Sequence, residues 1–301
     1  MDAIVLEQVS KRFDSVVAVD HLSLRVEQGA VFGLLGPNGA GKTTSLRMVM
    51  RILVPDEGSI QVLGQPASER TQDLIGYLPE ERGLYARMKV REVLIFLAAL
   101  KGLSEMEAAK RVHAWLERLE LAAWAEKKIN DLSKGMQQKA QFIAAVIHRP
   151  PLLILDEPFA GLDPVNATLI KDIMLELREQ GSTIILSTHR MEQVEMMCDA
   201  ICLINRGHSV LAGNLRDIKQ SYGKNTLRIE CSGGDDFLNL PNVVERVSRF
   251  GALVEAKLRP GADPQEILKA AVARGVRLSR FELVEPPLHD IFIEKVSEAH
   301  A

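Results

Sequence analysis

The fold of this chain is decided by the stretch Gly36-Pro37-Asn38-Gly39-Ala40-Gly41-Lys42-Thr43. An apolar run over residues 31–35 precedes it, and a helix-like run over residues 44–50 follows it. The glycines let successive backbone amides face one centre, where the positive end of the following helix also points. Lysine and then threonine at the end of such a loop are typical of nucleotide phosphate binding. The alternative, a glycine-rich turn that only opens a helix, is disfavoured because the fixed positions and both flanks agree.

The composition is that of an ordinary globular protein with one large domain, or a large and a small one. The chain has 301 residues, and 37 Lys and Arg against 40 Asp and Glu give a net charge of −3. This charge excludes a general attraction to nucleic acid or anionic lipid. The longest apolar run, residues 93–100, is too short to cross a membrane, and the N-terminus lacks the order of a signal peptide. We therefore expect a cytoplasmic protein whose membrane role, if any, depends on a partner.

The three cysteines, Cys198, Cys202 and Cys231, are consistent with a reducing compartment. Cys198 and Cys202 stand one helical turn apart, which leaves a metal site open as an alternative. No second pair or nearby histidine completes such a site, so packed structural thiols are the favoured interpretation.

Hydrophobic patterning predicts an α/β domain over residues 1–222 and a small α+β domain over residues 223–301. Apolar runs with helical spacing predict a helical insertion over about residues 90–148, most clearly over 90–128. The expected strands of the first domain are antiparallel segments within residues 1–35, a strand over 59–64, buried parallel strands over 152–155 and 183–186 joined by a helix over 165–180, and closing strands over 200–204 and 209–211. In the second domain, strands are expected over residues 226–231, 252–258 and 276–283, and helices over residues 264–273 and 288–296.

The apolar run over residues 152–155 ends in two adjacent carboxylates, Asp156 and Glu157. One carboxylate at such a strand end can hold Mg²⁺, and the next can polarise a water for attack on a phosphate. The alternative is a polar strand end that only caps the following turn. The phosphate loop in the same chain favours the magnesium site.

Three further polar residues stand at the predicted ends of helices or strands. Ser133 precedes one helical run, and Asp163 with Pro164 after it precedes another, so both are predicted N-caps. His189 follows the strand over residues 183–187, at the edge where ligands bind in parallel-sheet proteins. A purely structural role is the alternative for each, and capping by Ser133 is compatible with phosphate contact.

In order and spacing these segments resemble the ATPase subunit of the ATP-binding cassette (ABC) family over about residues 3–220. The matching motifs are the phosphate loop, Leu-Ser-x-Gly from residue 132, Leu-Asp-Glu from 155, Leu-Asp from 162 and Thr-His from 188. The resemblance implies a P-loop nucleotide-binding domain with an antiparallel β subdomain and a helical insertion. It also implies hydrolysis of ATP with Mg²⁺.

The resemblance implies a role for each motif residue. Glu157 would be the catalytic base, His189 would sense the γ-phosphate, and Lys42 would act on the β- and γ-phosphates. The implied magnesium ligands are Thr43 and Asp156. The implied nucleotide-binding residues are Phe13, Gly36, Pro37, Asn38, Gly39, Ala40, Gly41, Lys42, Thr43, Thr44, Ser133 and Gly135.

Three departures from the family pattern matter. The Leu-Ser-Gly-Gly-Gln signature reads Leu132-Ser133-Lys134-Gly135-Met136 here, so Ser133 and Gly135 are kept and Lys134 adds a charge. Glu80 stands where a glutamine normally follows Tyr-Leu-Pro, and its carboxylate is a candidate magnesium ligand. Phe13 offers a face for adenine stacking but lacks the hydroxyl of the commoner tyrosine.

In the family, ATP lies between two subunits, so the resemblance implies a homodimer, or a pair with a similar subunit, with Asp163 at the interface. It also implies a separate integral-membrane permease, gripped by residues 80–85 and 90–128, and a position on the inner face of the cell membrane. The segment from Tyr77 to Tyr85 and the extra domain resemble ATPases of ABC-2-type exporters. The alternative is an ABC ATPase that acts on a soluble macromolecule. For residues 223–301 we expect stabilisation of the dimer, with ligand sensing as the alternative.

Overall fold

The computed structural model describes residues 1–81, 83–232 and 234–298. The chain divides into two compact units, an N-terminal unit, Met1–Asn214, and a C-terminal unit, Leu215–Ala301. The division lies ahead of the boundary predicted after residue 222, because the short helix Leu215–Ser221 groups with the C-terminal unit.

The N-terminal unit is an α/β structure, as predicted. Its strands are β1 (Asp2–Phe13), β2 (Val16–Glu27), β3 (Val31–Leu35), β4 (Glu57–Val62), β5 (Gln65–Pro66), β6 (Ile75–Leu78), β7 (Leu152–Asp156), β8 (Thr183–Thr188), β9 (Ala200–Asn205) and β10 (His208–Asn214). Its helices are α1 (Lys42–Val49), α2 (Glu69–Gln72), α3 (Val90–Leu100), α4 (Glu105–Arg118), α5 (Lys134–Val146), α6 (Pro164–Glu179) and α7 (Met191–Glu195).

The central sheet has the strand order β10-β9-β3-β8-β7-β6, and all neighbours except the β10–β9 pair are parallel. Every residue of β3, β7 and β8 is buried, which explains their unbroken apolar sequences. Because these three strands are neighbours and parallel, the segments that follow them emerge at the same edge of the sheet. This edge brings together the predicted phosphate loop, the carboxylate pair and His189.

A second, antiparallel sheet has the order β2-β1-β4-β5. The antiparallel segments expected within residues 1–35 are β1 and β2, which pair with each other. Residues 31–35 instead form β3 of the parallel sheet. The reason is visible in the burial pattern: β2 alternates between exposed and buried residues, whereas β3 is buried on both faces.

The helical insertion lies between β6 and β7 and contains α3, α4 and α5, as predicted. The neighbouring strand β6 was not predicted. Gly76 within it lets the sheet approach α5 closely, since a Cβ at this position would lie 2.1 Å from the carbonyl oxygen of Ala145. No helix in the described part of the chain is both long and apolar enough to span a membrane.

The C-terminal unit is an α+β structure with an antiparallel sheet of order β12-β13-β11-β14. Its elements are α8 (Leu215–Ser221), β11 (Thr226–Ser232), β12 (Val244–Phe250), β13 (Leu253–Leu258), α9 (Gln265–Ala273), β14 (Arg277–Val284) and α10 (Leu288–Glu298). Leu227, Phe237 and Ile267 are buried together in its core. The three strands and two helices predicted here are confirmed, whereas β12 was missed.

Candidate active site

A cavity of about 330 Å³ opens at the carboxyl edge of the parallel sheet. It is lined by Ala18, Asn38, Gly39, Ala40, Gly41, Lys42, Thr43, Thr44, Glu80, Asp156 and Glu157. The fold therefore joins the predicted phosphate loop to both carboxylates of the Leu-Asp-Glu segment and to Glu80. Gly36 and Pro37 belong to the same loop but are not among the residues that line the cavity.

The loop needs glycine at two positions where the backbone packs closely. Gly36 and Gly41 have φ of 152° and 107°. A Cβ would lie 2.2 Å from the carbonyl oxygen of Ile204 at the first position and 2.4 Å from that of Ala18 at the second. Gly41 is also the N-cap of α1, and no side chain accepts from the amides at this helix end. The start of α1 is therefore open to an anion.

Lys42 begins α1 and is only 8% exposed. Its Nζ donates to the carbonyl oxygens of Gly36 at 2.8 Å and Pro37 at 3.1 Å, so the ammonium braces the loop. Burial lowers the pKa of Lys42, whereas the negative charges of Glu157, Asp156 and Glu80 act to raise it. A buried cation near three carboxylates makes this cavity a candidate site for the binding and reaction of charged groups.

Thr43 and Asp156 come from different elements and meet directly. The Thr43 hydroxyl donates to Asp156 Oδ2 at 2.8 Å. Asp156 is 1% exposed at the end of β7. A hydroxyl and a carboxylate oxygen so close beside an anion-binding loop are the hard oxygen donors that Mg²⁺ prefers. The Thr43 hydroxyl and the Asp156 carboxylate therefore have the donor chemistry that would hold Mg²⁺.

Both carboxylate oxygens of Glu157 accept hydrogen bonds. Oε1 accepts from the backbone N–H of His189 at 3.0 Å and from its ring Nδ1 at 2.6 Å, and Oε2 accepts from the Thr188 hydroxyl at 3.1 Å. Glu157 has φ of 49°, in the left-handed region that costs an L-residue about 1 kcal/mol. The Glu157 N–H donates to the carbonyl oxygen of Ser187, and Gln138 Nε2 donates to the carbonyl oxygen of Glu157. The structure thus fixes both the backbone and the side chain of this glutamate.

Phe13 lies at the end of β1, outside the residues that line the cavity, and is 43% exposed. The ammonium of Lys11 lies 5.7 Å from the centre of its ring. An exposed aromatic face beside a cation is available for stacking on a base.

Ser133, Gly135 and Asp163 are not among the residues that line the cavity. Ser133 is the N-cap of α5 and accepts from the amide of Met136, and Asp163 is the N-cap of α6 and accepts from the amide of Asn166. Both predicted caps are confirmed. The two helix starts lie side by side, since a Cβ on Gly135 would lie 3.1 Å from the carbonyl oxygen of Gly161.

Sequence reasoning missed Ala18, Thr188 and Gln193. Ala18 contributes backbone beside the loop, and nothing in the sequence signals that contact. Thr188 belongs to the Thr-His segment, and a hydroxyl at the end of a buried strand is itself a signal for a hydrogen-bonding role. Gln193 lies on α7, where its Oε1 is 3.4 Å from the Thr188 hydroxyl.

Cys198 and Cys202 are packed thiols, as expected for this pair, whereas Cys231 is only partly buried. Burial raises the pKa of Cys198, and it raises the pKa of Cys202 to about 11. Within the described residues, no group of His, Cys, Asp and Glu side chains forms a ready-made metal centre.

Two family models match this chain. The family model of the ABC transporter matches residues 19–160, and that of the C-terminal domain of ATP-binding proteins like DrrA1-3 matches residues 213–296. The uncharacterised ABC transporter ATP-binding protein YhaQ of Bacillus subtilis (strain 168) is 44% identical and covers 99% of both chains. Nod factor export ATP-binding protein I of Burkholderia thailandensis is 39% identical and covers 71% of this chain and 72% of its own.

A solved structure titled as the ATP-binding subunit of an ABC transporter has 30% sequence identity and a TM-score of 0.69. It covers 73% of this chain and 93% of its own. The identity over nearly the full length of YhaQ, together with the phosphate loop and carboxylate pair in one cavity, settles the family. The chain belongs to the ABC transporter family as one of its ATP-binding, ATP-hydrolysing subunits.

Proposed function

We propose that this ATPase forms a homodimer, or a pair with a similar subunit, and powers a separate membrane permease that exports its substrate. The observation that carries the proposal is the divided placement of the motifs. The phosphate loop, Asp156 and Glu157 share one cavity, while Ser133 and Gly135 lie outside its lining, at the start of α5. A complete nucleotide site then requires Ser133 and Gly135 from a second copy.

The proposed metal site is held by the Thr43 hydroxyl and the Asp156 carboxylate, with Glu80 as a third oxygen donor at the cavity wall. When bound there, Mg²⁺ neutralises phosphate charge and makes the γ-phosphate a better electrophile. The phosphate loop amides and Lys42 bind and orient the phosphates.

Within this site, Glu157 takes a proton from the attacking water, and His189 holds the carboxylate through its amide and ring. The His189 side chain is 55% exposed, so it is free to turn toward a γ-phosphate. Asp163, at the exposed start of α6, is the proposed residue at the interface between the two subunits. The ring of Phe13 is the proposed surface on which adenine stacks.

The proposed permease contact uses residues 80–85 and the helical insertion, on the inner face of the cell membrane. Tyr85 and Phe96 are 54% and 40% exposed, and their rings meet edge to face with centroids 5.8 Å apart. Such an exposed aromatic pair suits a protein–protein contact. Arg82, which belongs to this hypothesis, lies outside the described residues.

Affinity purification of the tagged protein from native membranes in mild detergent tests this proposal. We expect one polytopic membrane protein to co-purify in a fixed ratio and to change the ATPase rate. Reversing the charge of Glu81 to arginine should release that partner, whereas the same change at Glu179, on the exposed end of α6, should not. An active dimer that recovers no membrane partner would support the alternative, an ABC ATPase acting on a soluble macromolecule. That alternative is not favoured, because the similar proteins include a named export ATP-binding protein.

Replacing Glu80 by Gln tests its part in the metal site. Because the neutral amide removes one negative charge from the cavity, we expect binding of Mn²⁺ with ADP to weaken by about 1 kcal/mol, or roughly fivefold. Electron paramagnetic resonance of free Mn²⁺ measures this without turnover. Glu81→Gln is the matched control, since Glu81 is not among the cavity-lining residues. Equal Mn²⁺ affinity in the Glu80 variant and the parent would remove Glu80 from the metal site.

A further inference from the structure

Thr188 is the last residue of β8 and has no solvent exposure. Its hydroxyl oxygen lies 3.1 Å from Glu157 Oε2 and 3.4 Å from Gln193 Oε1, and it accepts from the Arg190 amide at 3.1 Å. A hydroxyl has only one proton to donate, so the two oxygens compete for it. The shorter contact and the charge of the carboxylate favour Glu157.

The hydrogen-bond donors to the two carboxylate oxygens of Glu157 differ in how far they are exposed to solvent. Oε1 has two donors, both from His189, and the ring that provides one of them is 55% exposed. Oε2 accepts from Thr188, which is anchored in the middle of the central sheet. Since the terminal torsion of a glutamate is broad, a donor on each oxygen is needed to hold the carboxylate plane.

We propose that Thr188 is a positioning residue for ATP hydrolysis: its buried hydroxyl donates to Glu157 Oε2 and fixes the carboxylate plane of Glu157. The inference rests on the proposed role of Glu157 as the base. Thr188 thus holds the carboxylate from the buried sheet, independently of the exposed His189 ring.

Thr188→Val keeps the shape of the side chain and removes the hydroxyl. We expect kcat for ATP to fall by about 10- to 100-fold while KM stays within about twofold, because the base is misplaced and ATP binding is untouched. Thr188→Ser restores the hydroxyl and is expected to recover kcat to within about threefold of the parent. Thr188→Ala removes the hydroxyl without adding bulk, so it provides the same measurement if valine impairs folding.

Thr183→Val is the matched control on the same strand. Thr183 is also buried, and its Oγ1 accepts from the Gly29 amide at 3.0 Å, at the opposite end of β8. This variant should lose thermal stability and keep kcat. A native kcat in both Thr188→Val and Thr188→Ala, or a Thr188→Ser variant as slow as Thr188→Val, would overturn the inference.

Glu157→Gln separates this inference from the proposal beneath it. If Glu157→Gln hydrolyses ATP at the native rate, the role of Glu157 as base fails and the positioning role falls with it. If Glu157→Gln is inactive and Thr188→Val has native kcat, only the positioning role fails.

Discussion

Glu157→Gln is expected to lower steady-state ATP hydrolysis by about 10²- to 10⁴-fold, the usual contribution of a general base. The amide has nearly the same shape as the carboxylate but does not take a proton from water. Because the phosphate loop and Lys42 are unchanged, ATP should still bind. Unhydrolysed ATP should then hold the dimer together. Phosphate release measures the first effect, and size-exclusion chromatography with and without ATP and Mg²⁺ measures the second.

Glu176→Gln is the matched control for this variant. Glu176 lies on α6, where its side chain is 44% exposed and paired with Arg118, and it is not among the residues that line the cavity. Its replacement should change neither turnover nor dimer formation, since exposed ion pairs contribute little to stability. Native turnover in Glu157→Gln would remove Glu157 as the base. Loss of turnover without a dimer stabilised by ATP would contradict the proposed two-subunit site.

The centre of the site follows from the sequence because of the geometry of parallel strands. Each of three apolar runs is followed by polar residues that can bind a ligand or take part in a reaction. The runs are residues 31–35, 152–155 and 183–186. Neighbouring parallel strands bring those ends to one edge, so Lys42, Asp156 and His189 had to meet once the runs were paired. The phosphate loop could also be predicted from its local sequence alone, because the spacing of its glycines and lysine is typical of that loop.

Elements that depend on distant packing did not follow from the sequence. Strand β6 has only four residues, and Gly76 within it is needed for contact with α5, so its local pattern is too short to stand out. Strand β12 is an edge strand whose sequence VERVSRF carries three charged residues, which obscures the apolar alternation. The hydrogen bond from Thr188 to Glu157 becomes apparent only when β7 and β8 are placed side by side.

Lys42→Met is expected to raise the dissociation constant for ATP by about 10- to 100-fold, because a charge-assisted hydrogen bond contributes about 1.5–3 kcal/mol. Turnover should fall at least as far. The ammonium is the cation that faces Glu157, Asp156 and Glu80. Without it, these carboxylates repel the triphosphate, and the carbonyl oxygens of Gly36 and Pro37 lose their donor. Calorimetry with ATP measures the affinity directly.

Lys101→Met is the matched control, because Lys101 also donates to two backbone carbonyl oxygens but is not among the residues that line the cavity. Its Nζ donates to the carbonyl oxygens of Gln72 at 2.7 Å and Ile75 at 3.1 Å, and burial lowers its pKa as well. Loss of this lysine should lower the melting temperature and leave ATP affinity unchanged. If both variants weaken ATP binding equally, the effect of Lys42→Met is loss of a structural brace. If only Lys42→Met does so, the cation acts on the nucleotide itself, as the three facing carboxylates require.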